Sequence, residues 1–446
     1  MNLARSVRSL VFRTVFLATA LAPRVAGAVT YTVTKTEDTA DGVCDDDCSL
    51  REAILTFNAT LIQVPAGTYR ITIPRENREF NSTGDGTKGN WLIKRAVTIE
   101  GAGRDLTILD ARPDAGAATE GLDRVLYITL GGHLTIGGVT ITGGRTTDFS
   151  QGAGIAVIGG SLDITDSAII GNRSNAGAGG IVVSGAVPAP VVNITRCEIA
   201  ENDAGPNSSG GGVYNIQSTV HIVDSWIHDN TVLVGGGGGV FNLDNQNRPN
   251  PPALMDITGS TISDNVAGDP TGMSLSEGFG AGVANSGGLL TIVNSTITRN
   301  IAYPSVAPGF GPIPGTGRGG GLSHRLLLGD DETDGTTVIN STIAFNQGFA
   351  GSQLHGDPNL KPAMFANTLV AGDAPNCANA GGGMGLASLG GNLSSDASPC
   401  GFDQALDQTG VAPGLQMSLA DNGGPTDTLA LTTGSPAIGA ADPAQC

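Results

Sequence analysis

A nine-residue phrase recurs along the middle of the chain, with an apolar residue in first place, serine in fourth, isoleucine in sixth and asparagine in ninth. Its six copies begin at residues 164, 194, 222, 257, 292 and 338, and the second copy carries Cys197 in the serine place. A glycine followed by an aliphatic residue, as in Gly154-Ile155, returns between the copies. Short apolar runs bounded by glycine and asparagine predict β-strands. A constant phrase with spacers of changing length predicts stacked coils with loops of variable size.

Strands this short could also form a sandwich or a barrel. The recurrence of one residue type in one place favours an all-β, single-stranded parallel β-helix (a solenoid), because equivalent residues of successive coils then lie about 4.8 Å apart. The isoleucines should form a buried stack and the asparagines a ladder of amide hydrogen bonds. The stack would contain Ile169, Ile199, Ile227, Ile262, Ile297 and Ile343, and the ladder Asn172, Asn202, Asn230, Asn265, Asn300 and Asn346.

Four segments are expected along the chain. Residues 1–28 have the features of a secretory signal peptide: arginines, an apolar stretch and a small-residue cleavage site. Residues 29–60 should cap the solenoid. Residues 61–435 should hold about 11 coils of roughly 30 residues each. Residues 436–446 should form a C-terminal tail.

The N-terminal cap carries two local patterns. Ser49 and Glu52 are spaced as a capping box, which predicts a short helix across the open end of the solenoid. The apolar side of that helix would consist of Leu50, Ala53, Ile54 and Phe57. Four carboxylates beside it, Asp41, Asp45, Asp46 and Asp47, could bind Ca²⁺ or simply be solvated.

Composition indicates a folded, acidic protein. The chain has 446 residues, of which 39% are hydrophobic and only 4% aromatic, which suits a narrow and regular core. Its net charge of −18 argues against a nucleic-acid backbone or an anionic membrane surface as partner. After the signal peptide, no segment offers the ~20 continuous apolar residues of a membrane-spanning helix.

Six cysteines in an exported chain predict disulfides, and six allow 15 pairings. Cys44 and Cys48 bracket three aspartates, while Cys377 and Cys400 bracket a glycine-rich segment. We expect each of these two pairs to be bridged. Cys197, in the serine place of a repeat, should be a small buried residue with a free thiol, and the last cysteine of the chain is left without an assigned partner.

Both ends of the chain resemble bacterial proteins with a CSLREA domain. The resemblance lies in Cys48-Ser-Leu-Arg-Glu-Ala, in Val64-Pro-Ala-Gly-Thr-Tyr and, near the C-terminus, in Ala420-Asp-Asn-Gly-Gly-Pro-Thr-Asp-Thr-Leu. The repeats are also similar to those of polymorphic outer-membrane proteins. The resemblance implies a right-handed parallel β-helix, mostly without assigned activity, that is secreted into the extracellular space or held at the cell surface of a bacterium.

One acidic cluster within the repeats could carry chemistry. Asp330, Asp331 and Glu332 lie in an insertion between two repeat phrases, close to His324 and Arg325. A solvent-exposed loop tip is one interpretation, and a catalytic, Ca²⁺ or carbohydrate site is the other. The sequence contains no zinc-ligand spacing, phosphate loop or Gly-x-Ser-x-Gly elbow.

Two hypotheses of function remain. We favour a non-catalytic, adhesin-like binding or structural protein, monomeric, whose partner is a polysaccharide or a cell-surface component. The alternative is an extracellular polysaccharide lyase or glycoside hydrolase acting on an acidic polysaccharide. No nucleic acid and no cofactor other than Ca²⁺ is expected. A cluster of carboxylate and basic side chains on one face of the coils would favour the enzyme.

Overall fold

The chain folds as a right-handed parallel β-helix, which confirms the predicted fold class. The structure is a computed structural model and describes residues 29–75, 84–114, 121–185, 188–244, 252–272, 276–307, 311–325, 335–358, 360–379 and 385–445. The predicted signal peptide, the Asp330-Asp331-Glu332 cluster and Cys446 lie outside these residues. Among the residues described, no helix is long and apolar enough to cross a membrane.

The central coils pass in turn through four sheets, whose strands pair in parallel with their equivalents in the coils before and after, whereas the first and last coils have no strand in sheet 3. Sheet 1 contains Thr30–Thr32, Leu61–Val64, Ala96–Gly101, His133–Gly137, Ser161–Thr165, Val191–Thr195, Thr219–Val223, Leu254–Thr258, Leu289–Val293, Gly335–Ile339, Ala363–Ala366 and Leu386–Gly390. Sheet 2 contains Gly67–Arg70, Thr107–Asp110, Thr140–Thr142, Ala168–Ile170, Glu198–Ala200, Trp226–His228, Thr261–Ser263, Thr296–Thr298, Thr342–Ala344, Leu369–Ala371, Leu393–Ser394 and Gln408–Thr409.

The other two sheets complete the coil. Sheet 3 contains Arg145–Gln151, Arg173–Ala176, Asp203–Asn207, Thr231–Val232, Val266–Ala267, Ile301–Ala302 and Gln347–Gly348. Sheet 4 contains Trp91–Ile93, Leu126–Thr129, Ile155–Ile158, Ile181–Ser184, Val213–Ile216, Val240–Leu243, Val283–Ser286, Leu322–Arg325, Leu354–Gly356 and Cys377–Asn379. Shorter pairings join Gly235–Gly236 to Gly278–Phe279 and Val306–Ala307 to Gly311–Pro312.

The interior follows the repeated phrase. Ile227 lies in register between Ile199 and Ile262 in sheet 2, and all six predicted isoleucines are fully buried. The first five ladder asparagines each donate from the side-chain amide to the asparagine of the next coil, as Asn230 Nδ2 does to Asn265 Oδ1 at 2.9 Å, and the sixth, Asn346, donates to Gln353 Oε1 at 2.8 Å. The ladder satisfies backbone groups that the turn between sheets 2 and 3 would otherwise leave buried without partners. The predicted stack and ladder are both confirmed.

The N-terminal helix covers one end of this core. It spans Leu50–Leu55 and begins with a complete capping box between Ser49 and Glu52, as predicted. Three of the four apolar residues assigned to it are buried in the core, whereas Phe57 is 91% exposed. The assignment of Phe57 was wrong because the helix ends at Leu55, before its apolar period reaches that residue.

The C-terminal segment departs from the predicted boundary of the repeats at residue 435. The last strand of the stack is Gln408–Thr409, and the chain then forms an antiparallel hairpin from Leu415–Ala420 and Thr428–Leu431. Apolar residues of this hairpin pack on the outer surface of sheet 2. A short 3₁₀ helix, Pro443–Gln445, follows.

The disulfides join the pairs expected from spacing. Cys44 is bridged to Cys48, and Cys377 to Cys400, with Cα–Cα distances of 4.4 and 5.1 Å. Cys197 is buried with a free thiol. Its burial raises the pKa of the thiol to about 11, so it remains protonated and unreactive at neutral pH.

Candidate functional site

The described part of the acidic insertion does not form a free catalytic group. His324 is fully buried in sheet 4; its Nε2 donates to the Lys361 carbonyl at 2.9 Å and its Nδ1 accepts from the Thr336 hydroxyl at 3.0 Å. Burial lowers the pKa of His324. Arg325 pairs with Glu277 at 2.8 Å. Both residues therefore hold the fold together, and the three carboxylates of the same insertion lie outside the described residues.

The carboxylates of the N-terminal cap are dispersed. Asp41 and Asp45 each accept a hydrogen bond from a backbone N–H two residues later, and Asp47 pairs with Lys35. Asp46 is exposed. Across the described ranges, no three histidine, cysteine, aspartate or glutamate side chains come together as a metal-binding group. Calcium binding by this loop stays a prediction of the sequence alone.

A different cluster forms on the outer surface of sheet 2. The middle residue of each three-residue strand points inward, so the first and third residues point outward. In two neighbouring coils these outward positions hold Glu198, Trp226 and His228. The rings of Trp226 and His228 are stacked with their centroids 3.8 Å apart. Trp226 is half-buried, and its Nε1 donates to Ser263 Oγ at 3.1 Å.

His228 is held between two carboxylates. Its Nδ1 lies 2.7 Å from Asp229 Oδ2, and its Nε2 lies 3.2 Å from Glu198 Oε1. Ionised carboxylates only accept, so both ring nitrogens donate and the ring is an imidazolium. Burial lowers the pKa of His228, but the hydrogen bonds to Glu198 and Asp229 outweigh it and the net pKa is raised. The bond to His228 lowers the pKa of Glu198.

The turns on either side of these strands add further charges. The third residue of the repeated phrase adopts a positive φ, with values of 48°, 51° and 51° at Asp166, Arg196 and Asp224. Arg196 spans to the preceding coil and binds Asp166 at 2.7 Å. Arg104, from an earlier coil, lies 3.6 Å from Glu198. Two charges 30 residues apart in the chain, Asp166 and Arg196, thus become neighbours on one surface.

These groups surround a cleft of about 610 Å³, which we call the Trp226 cleft. Its walls are Arg104, Asp166, Arg196, Cys197, Glu198, Asp224, Trp226 and three residues of the hairpin tip, Pro425, Thr426 and Asp427. This size lies within the range of small-molecule and oligomer sites. The sequence analysis missed it because each coil contributes only one to three of these side chains. The signal that could have found it is the charged and aromatic residues at the third and fifth places of the repeated phrase.

Comparison with known proteins agrees with the fold and assigns no activity. A family model described as right handed beta helix region matches residues 124–310. No curated protein matches the chain significantly. Among solved structures, the chain is similar to pectate lyase Pel9A at 15% identity and a TM-score of 0.40, covering 80% of this chain and 82% of the lyase. It is also similar to the A-module of Azotobacter vinelandii mannuronan C-5 epimerase AlgE6 at 13% identity and a TM-score of 0.40, covering 85% and 98% of the two chains. The middle of the chain therefore matches the right-handed β-helix family model.

Proposed function

We propose that this chain is an extracellular protein that binds a carbohydrate chain in the Trp226 cleft without cleaving it. The observation that carries the proposal is a tryptophan in a cleft otherwise lined by hydrogen-bonding and charged groups. Sugar rings have apolar faces that pack on aromatic rings, and hydroxyl edges that bond to carboxylates and guanidinium groups. The two disulfides support an extracellular location.

The protonation state of Asp166 and Glu198 argues against either carboxyl as the general acid of a hydrolase. A glycoside hydrolase needs one protonated carboxyl as general acid beside a second, ionised carboxylate. The hydrogen bond from Arg196 lowers the pKa of Asp166, and that from His228 lowers the pKa of Glu198. Both groups are therefore ionised at neutral pH and can accept hydrogen bonds from sugar hydroxyls.

Carbohydrate binding is tested with a panel of soluble neutral and acidic polysaccharides in affinity gel electrophoresis, followed by calorimetry on any that retard the protein. Trp226→Ala should weaken binding about tenfold, the loss of roughly 1.4 kcal/mol expected when one aromatic platform is removed. Phe57→Ala is the matched control, because Phe57 is an aromatic residue 91% exposed in the N-terminal cap, several coils away from the cleft.

The result supports the proposal if Trp226→Ala loses affinity while Phe57→Ala and Trp226→Phe keep most of it. Equal affinity of the wild type and Trp226→Ala would move the binding surface elsewhere. Circular dichroism of each variant separates loss of binding from loss of fold.

A polysaccharide-cleaving enzyme is the second candidate, because Asp224 and Asp427 also line the cleft. Incubation of the same panel with and without Ca²⁺ would reveal it through new reducing ends or unsaturated products. Turnover that disappears in Asp224→Asn, with binding retained, would establish the enzyme. Absence of products from every polysaccharide that binds supports the non-catalytic function.

A further inference from the structure

The outer surface of sheet 2 is accessible in some coils and covered in others. Glu198 and Trp226 are half-buried at outward positions. Thr261, Thr298 and Ala344 occupy outward positions in later coils of the same sheet, yet all three are fully buried. In the two coils that follow Trp226, all four outward residues, Thr261, Ser263, Thr296 and Thr298, are buried, and partial accessibility returns only at Thr342 one coil further on. The accessible strip around the cleft therefore ends at the coil that carries Trp226.

The C-terminal hairpin covers the later coils. Its apolar side chains, including Leu419 and Leu429, pack against Ala344 and Leu369 of sheet 2. The hairpin occupies the strip along which the Trp226 cleft would otherwise continue. A second cleft of about 590 Å³ lies at its base, beside Leu415 and Met417.

The tip of the hairpin is anchored at the edge of the Trp226 cleft. Thr261 Oγ1 donates to the Asp427 carbonyl at 2.7 Å and lies 2.9 Å from Thr426 Oγ1. Thr426 Oγ1 also reaches the Gly259 carbonyl at 3.4 Å. Because Pro425, Thr426 and Asp427 line the cleft, the tip forms its end wall.

Among the residues that the structure describes, none walls the opposite end of the cleft in this way. Arg104 and Asp166 are exposed there, and Thr140 and Thr142, the outward residues two strands before Glu198, are partly accessible. A bound polymer that follows the axis of the stack would leave the cleft in this direction. A chain that must pass through the site in both directions would collide with the hairpin tip.

The charges of the cleft indicate what kind of polymer fits. Its walls carry two arginines and four carboxylates (Asp166, Glu198, Asp224 and Asp427), a formal balance of 2 − 4 = −2. Arg104 and Arg196 are each already paired with a carboxylate of the same cleft. A polyanion would meet net repulsion, in a chain whose own net charge is −18.

From this geometry we infer that the Trp226 cleft binds the terminus of an uncharged carbohydrate chain, with the hairpin tip as the stop and the rest of the chain leaving past Arg104. The inference rests on the proposed carbohydrate binding and adds which part and which class of polymer is recognised.

The test compares binding capacity before and after chains are shortened. Dextran, xylan and galactomannan are used intact and after partial acid hydrolysis, with polygalacturonate as the acidic probe. For a neutral polymer that binds, the moles of protein bound per gram of polymer should rise in proportion to the number of chain ends. A tenfold reduction in chain length should therefore raise this capacity about tenfold. A capacity per gram that does not change with chain length would overturn terminal recognition. Binding to polygalacturonate alone would overturn the neutral assignment. No binding to any probe would instead refute the proposed function itself.

Release of the tip provides an independent test. The double variant Thr261→Val, Thr426→Val removes the hydroxyl contacts that anchor it and should increase the capacity of the intact polymer severalfold, because internal segments can then enter. Thr298→Val is the matched control: this threonine is also buried on sheet 2, but its hydroxyl has no hydrogen-bond partner among the residues that the structure describes. Unchanged capacity in the double variant, with a normal circular dichroism spectrum, would show that the tip is not the stop.

Discussion

Replacement of one ladder asparagine by alanine should destabilise the solenoid far more than the small size of the asparagine side chain suggests. Asn230 is fully buried, and its Oδ1 accepts from both the backbone N–H and the side-chain amide of Asn202, at 3.1 and 2.9 Å. Asn230→Ala removes this acceptor. The backbone N–H of Asn202 then has no other acceptor among its described contacts, and its side-chain amide keeps one of its two, the Ile169 carbonyl at 2.9 Å.

A minimum magnitude follows from these two lost contacts, because Asn230→Ala also removes the side-chain amide that donates to the Ile199 and His228 carbonyls and to Asn265 Oδ1. Asn202 is fully buried, so water cannot replace the missing acceptor. A buried N–H left unsatisfied costs about 1–3 kcal/mol, so two of them predict a loss of about 2–6 kcal/mol in the free energy of unfolding. The loss should be local, because each coil of a solenoid contacts only its neighbours.

The assay combines urea unfolding, followed by far-UV circular dichroism, with hydrogen exchange of peptides that cover residues 196–204. Asn294→Gly is the matched control, since Asn294 is an exposed asparagine with a positive φ of 50° that glycine adopts without strain. We expect a large shift and faster exchange for Asn230→Ala only. If both variants unfold at the same urea concentration, the ladder contributes no more than an exposed turn, and the reasoning fails.

Two further predictions concern pH and oxidation. Because the folded pKa of His228 is raised, its stabilising contribution is complete below its unfolded value of about 6.5 and is lost as the pH rises through the folded pKa. The gap in unfolding free energy between the wild type and His228→Gln should therefore be larger at pH 6 than at pH 9, and a gap that widens toward alkaline pH would contradict this network. Double replacement of Cys377 and Cys400 with serine should lower the free energy of unfolding by about 3 kcal/mol, because this bridge closes the longer loop. The same replacement of Cys44 and Cys48 should lower it by about 2 kcal/mol. Peptide mapping without reduction should find both bridges, and their absence would refute the pairing.

The fold could be read from the sequence because the core repeats the same chemistry in every coil. Buried isoleucine and hydrogen-bonded asparagine each tolerate few substitutes, so Ile227 and Asn230 recur at their places while the spacers change length. The N-terminal helix was predictable because its first turn is stabilised locally: the side chains of Ser49 and Glu52 each accept a hydrogen bond from the other's backbone N–H. Only its end was misjudged, at Phe57, where no local pattern marked the helix terminus.

The C-terminal hairpin was not predictable from the repeat. Its strands, Leu415–Ala420 and Thr428–Leu431, alternate apolar and polar residues much as a coil would. What distinguishes them is their partner, since they pair with each other in antiparallel orientation and pack on sheet 2 from outside. The pattern of a single strand does not record which neighbour it meets.

The cleft was hidden for a geometric reason. Asp166, Arg196 and Asp224 are separated by about a whole coil in sequence, and the spacers between coils vary, so no fixed-distance motif connects them. Only the register of the repeated phrase connects these three residues, because all of them stand at its third place. The sequence analysis used the recurrent places of the phrase and overlooked those where the residue changes from coil to coil, although a site needs residues that differ between coils.

Gly259 connects the fold to the end of the cleft. It stands at the same third place as Asp224 in the preceding coil and has a φ of 59°, so the turn itself is conserved while the side chain is absent. A Cβ at Gly259 would lie 2.4 Å from Asp224 Oδ1, and 3.7 Å from a ring carbon of Pro425 in the hairpin tip. The glycine therefore lets Asp224 stay in the cleft and lets the tip close over the next coil. The backbone needs a positive φ at the third place of both coils, but only the earlier coil has room there for a side chain. The change from Asp224 to Gly259 at this place therefore marks where the open surface of sheet 2 ends.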